Sequence, residues 1–270
     1  VPALAPDSRT RLSPTELLGV TLSGTPGGAV VRDLATDERT SVEPGEGGTF
    51  ALPCSSVPAL LEVTWEDSGV KVSAQADVVA VRYCELSDIL AYRADQYELK
   101  ASEGDLFAAR ARAEQVIESS CGRALQPVMR LGFVDRDCPA KTRGMVAGED
   151  GYDSCLIRVA TARSSSGDEV ELREVGSGPY VDLTHVGFGD AARVAYVTGL
   201  AHVPPEARGA VCSLAAWYLA PRTAPENATS TSTDVGVMSF VIAGVSGAET
   251  SLPDVNALIS RFGLSNPKVG

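Results

Sequence analysis

Histidine is nearly absent from this chain, and that scarcity removes most catalytic options at the outset. Only His185 and His202 occur in 270 residues, so an imidazole acid or base has just two places to sit. His185 lies three residues after Asp182 in VDLTHVG, but no Gly-x-Ser-x-Gly elbow presents a serine to it. His202, just before Val203-Pro-Pro, reads as a loop residue. There is no Cys-x-x-C pair, and Cys138 and Cys155 with the two histidines lack ordinary zinc spacing. The run Gly24-Thr-Pro-Gly-Gly28 lacks the Gly-Lys-Ser/Thr ending of a phosphate loop and reads as a turn. Carboxylates are dispersed rather than paired. The expectation is no catalytic residue, no cofactor and no metal.

Long apolar runs are missing too. No stretch approaches the roughly 20 residues needed to span a bilayer. The segment VPALAPDSRTRLSP has neither a basic start nor an apolar core, so neither export nor a membrane anchor is expected. Basic charge is also short, with 23 Lys and Arg against 35 Asp and Glu and a net charge of −12. That balance argues against a protein that wraps nucleic acid by neutralising phosphates. It suits a surface that faces DNA without holding it. The six cysteines are scattered and are expected as reduced thiols in a cytoplasm, with Cys121 and Cys212 packing as small apolar groups.

What is present is a chain that is 44% apolar, ample for packed cores. Residues 1–13 read as an extended arm. Residues 14–94 read as a sandwich-like β domain with strands at VTLSG, AVVRDL, TFAL, LLEVTW, VKVSA and DVVAVRYC, and a hairpin across Glu66–Gly69. Trp65 reads as core. Ser87 marks the N-cap of a short helix, DILAYR, and a polar linker follows. A helical domain then covers residues 95–263, with a β-rich insert at about 127–198, and residues 264–270 form a tail. The fold class expected is α+β.

The first long helix is LFAARARAEQVIESSCGR, with Leu106, Ala109, Arg110, Ala113, Val116 and Ile117 on one period and Gly122 as its stop. Arg110, Arg112 and Glu114 read as a solvated face. In the insert, strands are expected at PVMRLGFVD, SCLIRVATA, EVELREV and ARVAYVTG, with a Gly/Asp-rich loop from Lys141 to Asp153 and a turn at Ser164–Asp168. The last third carries a helix opened by Pro204-Pro205, with Ala207, Val211, Leu214, Ala215, Tyr218 and Leu219 on one face and Pro221 at its end. A Ser/Thr-rich arm follows, then the uncharged stretch 235–248. A final helix has Val255, Leu258, Ile259 and Phe262 on one face and Gly263 just past its end.

The uncharged stretch cannot safely stay unpaired. Two homes fit it: an internal strand of the chain's own sheet, or a strand added to a neighbouring subunit. The polar arm before it is long enough to reach a neighbour.

Three segments together resemble the head-to-tail adaptor, or connector, proteins of long-tailed double-stranded DNA bacteriophages. LFAARARAEQVIESSCGRALQP resembles that family's first long helix and its Cys/Thr-Gly-Arg turn. VAYVTGLAHVPPEARGAVCSLAAWYL resembles its strand, Pro-Pro and second helix. TSTSTDVGVMSFVIAGVSGAETSLPDVNALISRFG resembles its Ser-rich arm, strand and terminal helix. The likeness covers roughly residues 87–263, with residues 132–193 departing from the pattern, and LLEVTWEDSGVKVSAQADVVAVRYCELSDI resembles the β domain some members carry.

The resemblance implies a structural virion protein rather than an enzyme: a twelve-fold homo-oligomeric ring in the neck, assembled in the host cytoplasm. It would bind the portal protein on one side and a tail-completion protein on the other. Double-stranded DNA would pass through its channel without sequence-specific binding, and no membrane is involved. The interface residues implied are Val237, Met238, Phe240, Val241, Ile242, Val255, Leu258, Ile259 and Phe262. The alternatives are a tail-terminator or tail-tube subunit and, in another class, a cytoplasmic enzyme with an accessory β domain or a carbohydrate-binding module.

Overall fold

A computed structural model describes residues 2–24, 26–92, 100–135, 143–148, 151–152, 155–164, 167–174, 180–182, 193–220, 230–233, 236–239, 250 and 252–264. The chain is mixed α and β and folds as two compact units, each assembled from two separate stretches. Unit one gathers Val1–Arg82 with Gln126–His202, and unit two gathers Tyr83–Leu125 with Val203–Gly270. The β-rich middle therefore groups with the N-terminal strands, whereas the boundaries read from sequence attach it to the helices.

Unit one begins with eight strands: β1 (Ala3–Leu4), β2 (Arg9–Leu12), β3 (Val20–Leu22), β4 (Ala29–Asp33), β5 (Arg39–Val42), β6 (Thr49–Phe50), β7 (Ala59–Asp67) and β8 (Val70–Val78). They form a sheet ordered β1-β3-β6 and a second ordered β2-β8-β7-β4-β5. The stretch expected as an extended arm is two short strands joined by a turn at Pro6–Asp7, and both strands are built into the sheets. β1 runs parallel to β3 and β2 parallel to β8, burying Leu4 and Leu12.

The hairpin between β7 and β8 turns on Ser68 and Gly69, both at positive φ, which matches the twist of the flanking strands. VKVSA and DVVAVRYC are not two strands: β8 runs unbroken through residues 70–78, and no strand follows before residue 86. The register explains this, because all nine residues of β8 pair with β7 in one antiparallel ladder. Trp65 is core, as its pattern implies, and its indole Nε1 donates to the Ser23 carbonyl at 3.1 Å just past β3.

The middle supplies β9 (Val128–Asp135), β10 (Arg143–Gly148), β11 (Gly151–Tyr152), β12 (Leu156–Arg163), β13 (Arg173–Glu174), β14 (Tyr180–Asp182) and β15 (Arg193–Thr198). These make an antiparallel sheet ordered β12-β15-β9-β10-β14-β13, with β11 paired to β10. Two expectations change here. The Gly/Asp-rich stretch from Lys141 to Asp153 contains β10 and β11 rather than a loop alone, and EVELREV pairs as a strand only at Arg173–Glu174. The turn after β12 is as expected, with Ser164 N–H donating to the Asp168 carbonyl at 2.9 Å.

β15 is buried on both faces from Val194 onward, the mark of a central strand. One face packs Val194 and Tyr196 with Val134, Val146, Ala162 and Val181. The other packs Ala195 and Val197 with Met129 and with Leu60 of β7, flanked by Leu34, Ala35, Ile157 and Ala160. Thr161 Oγ1 adds a hydrogen bond to the Ala35 carbonyl at 2.8 Å. This second cluster makes the early strands and the middle sheet one body.

Unit two contains α1 (Leu86–Ala91), α2 (Glu103–Cys121), α3 (Pro205–Leu219), β16 (Ser230–Thr233), β17 (Gly236–Ser239) and α4 (Pro253–Phe262). The N-cap of α1 is Glu85 rather than Ser87, because Glu85 and Asp88 close a reciprocal capping box. α2 opens on the same device between Ser102 and Asp105 and ends at Gly122 in the left-handed region. α3 packs on the other three helices, and its run from Ala210 to Ala216 is buried throughout.

Arg110 and Glu114 are corrected from the solvated face to the interior. They are 0% and 2% exposed. Arg110 Nη1 donates to the Cys84 carbonyl at 3.2 Å, and its guanidinium lies 5.0 Å from the Phe107 ring centre. The chain entering α1 covers this side of α2, which the helical period alone does not reveal. Arg112 stays exposed and sits 4.3 Å over the Tyr218 ring of α3.

Candidate functional site

The site assembled from the implied interface residues is the α3–hairpin–α4 region of unit two. α4 is held by its flanks as well as by its apolar face. Before it, the N–H of buried Thr250 donates to Asn256 Oδ1 at 2.8 Å, while Asn256 Nδ2 donates to the Thr250 carbonyl at 2.8 Å. Leu252 N–H donates to Thr250 Oγ1 at 3.2 Å, so this loop does the work of a side-chain cap that Leu252 cannot provide. After it, Leu264 N–H donates to the Cys121 carbonyl at 2.8 Å and Arg123 Nε donates to the Phe262 carbonyl at 2.8 Å. Both ends of α4 are fastened.

Val255, Leu258 and Ile259 are buried within unit two by packing on α3 and α2. They support the surface rather than form it. Phe262 is half-buried and borders a cleft of about 360 Å³ between α3 and α4. The small residues Gly209, Ala210 and Ala257 line it, together with Tyr92. The rim carries Glu206, Asp254 and Arg261, with Arg261 ion-paired to Glu206. Nearby, Arg208 Nη2 meets Asp88 Oδ1 at 2.7 Å. Burial pushes the Asp88 carboxyl up, but the Arg208 hydrogen bond and the Glu85 N–H outweigh it and hold the group below its ordinary range.

The hairpin carries the remaining implied residues. Val237 and Met238 lie on β17, opposite Ser232 and Thr231 of β16. Phe240, Val241 and Ile242 lie outside the described residues, as do His185 and Cys138. Among the described residues, β16 and β17 pair only with each other.

His202 is exposed, and no group of three His, Cys, Asp or Glu residues among those described could hold a metal ion. No helix among the described residues is long and apolar enough to cross a bilayer. The Thr250–Asn256 clamp and the Glu206–Arg261 pair were not anticipated from sequence. Each joins residues whose types are ordinary and whose spacing matches no motif. A scan of protein-family models gives no match to this chain, and a search of curated proteins gives none either.

Proposed function

We propose that the chain is a structural virion subunit, a head-to-tail adaptor that forms a ring between the portal and the tail-completion proteins and encloses the DNA channel. The observation that carries this reading is the β16–β17 hairpin. A two-stranded hairpin is marginal alone in water, and both outer edges of this one are without a strand among the described residues. Its apolar half opens the uncharged stretch from residue 235 to 248. Addition to a neighbouring copy satisfies such edges, and cyclic closure repeats the contact around a ring.

In this reading unit two is the connector element. The β-rich middle is an insertion between α2 and α3, and the N-terminal strands are the accessory β domain. The sequence resemblance supports the same assignment, as does the net charge of −12, which favours a channel through which DNA slides. The interface comprises Val237, Met238, Phe240, Val241 and Ile242 on the hairpin stretch and Phe262 at the cleft, with Val255, Leu258 and Ile259 as its packed support.

The test is native mass spectrometry and negative-stain imaging of the chain alone and with a portal protein. Rings, or a stoichiometric complex with the portal, are expected. Replacing Phe240 and Ile242 by Asp is expected to abolish them while leaving the circular dichroism of both units intact. A strictly monomeric chain that ignores the portal overturns the proposal.

The number of strands favours a second reading, a tail-terminator or tail-tube subunit, since unit one is built mainly from sheets. Binding to a tail tube in preference to a portal selects that reading.

A further inference from the structure

Gly209 sits inside α3, where glycine is a poorer helix former than alanine. Packing within the chain does not ask for it. A Cβ built there would meet nothing within 4 Å beyond the helix itself, and the residue is exposed. It lines the cleft of about 360 Å³ between α3 and α4, beside Ala210, Ala257 and Phe262. A glycine on the open wall of a cleft lets another molecule approach the backbone closely. The rim is acidic in sum: Glu206 and Arg261 cancel in their ion pair, while Asp254 has no ion-pair partner among the described residues.

The same unit presents a knob of matching chemistry. Trp217 is 38% exposed near the end of α3 and stands edge-on to Tyr218, with 5.4 Å between the ring centres. Exposed Arg112 lies 4.3 Å over the Tyr218 ring and has no carboxylate partner among the described residues. Trp, Tyr and Arg are the side chains that most often anchor protein contacts, and here a cation accompanies the aromatic knob where the cleft offers an anion. Trp217 does not line the cleft of its own chain. Ala210 and Trp217 are seven residues apart on one helix, about 10 Å by its rise, and α3 holds them at that separation.

We infer that the cleft between α3 and α4 receives Trp217 of a second copy, with Arg112 of that copy facing Asp254. The inference rests on the reading of the chain as a self-associating ring subunit, and it gives the cleft an occupant separate from the hairpin stretch. A cleft of this size takes one aromatic side chain rather than a helix or a strand. Ala210, Ala257 and Phe262 offer the indole an apolar lining, and Gly209 leaves room for the ring against the helix backbone. One such contact is small and weak alone. Repetition between neighbours around a ring makes it effective.

The test uses the full chain with a photoreactive phenylalanine analogue at position 217, prepared as an equal mixture of isotopically light and heavy protein, irradiated, digested and mapped by mass spectrometry. Cross-links between a light and a heavy chain are expected, running from position 217 to peptides covering residues 206–210 or 253–262. Gly209→Ala folds, since its added Cβ meets nothing in its own chain. It is expected to raise Tm by about 1–2 °C and to weaken self-association, read by sedimentation velocity, about tenfold. Arg112→Glu and Asp254→Arg should each weaken association, and the two together should restore most of it. If wild type associates but the cross-links stay within one chain or reach other segments, if Gly209→Ala leaves association unchanged, or if the double variant is no better than the single ones, the cleft contact is overturned and the ring reading stands. A chain that is monomeric at every concentration overturns both.

Discussion

Arg123, on the turn that ends α2, donates its Nε–H to the carbonyl of Phe262 at the end of α4. The bond satisfies one of the carbonyls that a helix C-terminus leaves without an internal partner. Leu264 N–H does the reverse for α2 by donating to Cys121. Each helix end thus completes the other.

Arg123→Ala is expected to destabilise unit two by about 1–2 kcal/mol, the scale of one charge-assisted hydrogen bond in a half-exposed place. Urea unfolding gives the loss directly. Hydrogen exchange should show it first at the amides of residues 260–264. Unchanged protection there shows that the apolar face of α4 holds the helix unaided.

Stability should fall in acid through Asp88. Its folded-state carboxyl titrates below the ordinary value of 3.8, so its ion pair contributes fully above that value and is lost as pH falls from there through the lower, folded-state value. Comparing urea midpoints at about pH 6 and about pH 3, wild type should lose more than Asp88→Asn. Equal losses in the two proteins remove Asp88 from the acid response.

Gly132→Ala should damage the middle sheet out of proportion to one methyl group. A Cβ at Gly132 would stand 2.2 Å from the Ala147 carbonyl oxygen on the neighbouring strand and 3.0 Å from the Tyr196 ring. Neither backbone nor a packed ring yields easily, and a cost of about 1–3 kcal/mol is expected. Thermal unfolding checks it. A Tm equal to that of wild type means the strands separate more cheaply than their packing implies.

Leu60→Ala should cost about 2–5 kcal/mol, because it empties a position shared by β7 and the middle sheet. A chain beginning at residue 97 goes further and removes Leu34, Ala35 and Leu60 at once. That truncation is expected to leave the sheet holding Met129, Ala195 and Val197 unfolded or aggregated, while the full chain is soluble. A monodisperse, cooperatively unfolding fragment would show that the middle sheet stands without the early strands.

Local signals account for what could be read in advance. Gly122 and the Ser68-Gly69 turn are legible because positive φ is a requirement of one or two residues. β9, β12 and β15 are legible because their apolar content suits buried strands. The parallel partners of β1 and β2 are not, since nothing in VPALAPDSRTRL specifies pairing with residues 21–22 or 75–78. Arg110 and Glu114, four residues apart, look like a surface pair and turn out to be interior because α2 is packed among the other helices, with the Cys84 carbonyl meeting Arg110. The implied interface was legible as a set of apolar positions, but burial separates Val255, Leu258 and Ile259 from the rest, and that depends on where α3 lies.

The alternation of the two units along the chain has a consequence for synthesis on the ribosome. When Arg82 emerges, the early strands still lack Met129, Ala195 and Val197, and α1 and α2 emerge next without α3. Both half-built bodies therefore wait with apolar surface uncovered while the nascent chain elongates, and the first is completed only as β15 leaves the exit tunnel. Translation rate through residues 126–202, rather than the intrinsic speed of either body, then governs how long the newborn protein needs shelter from chaperones.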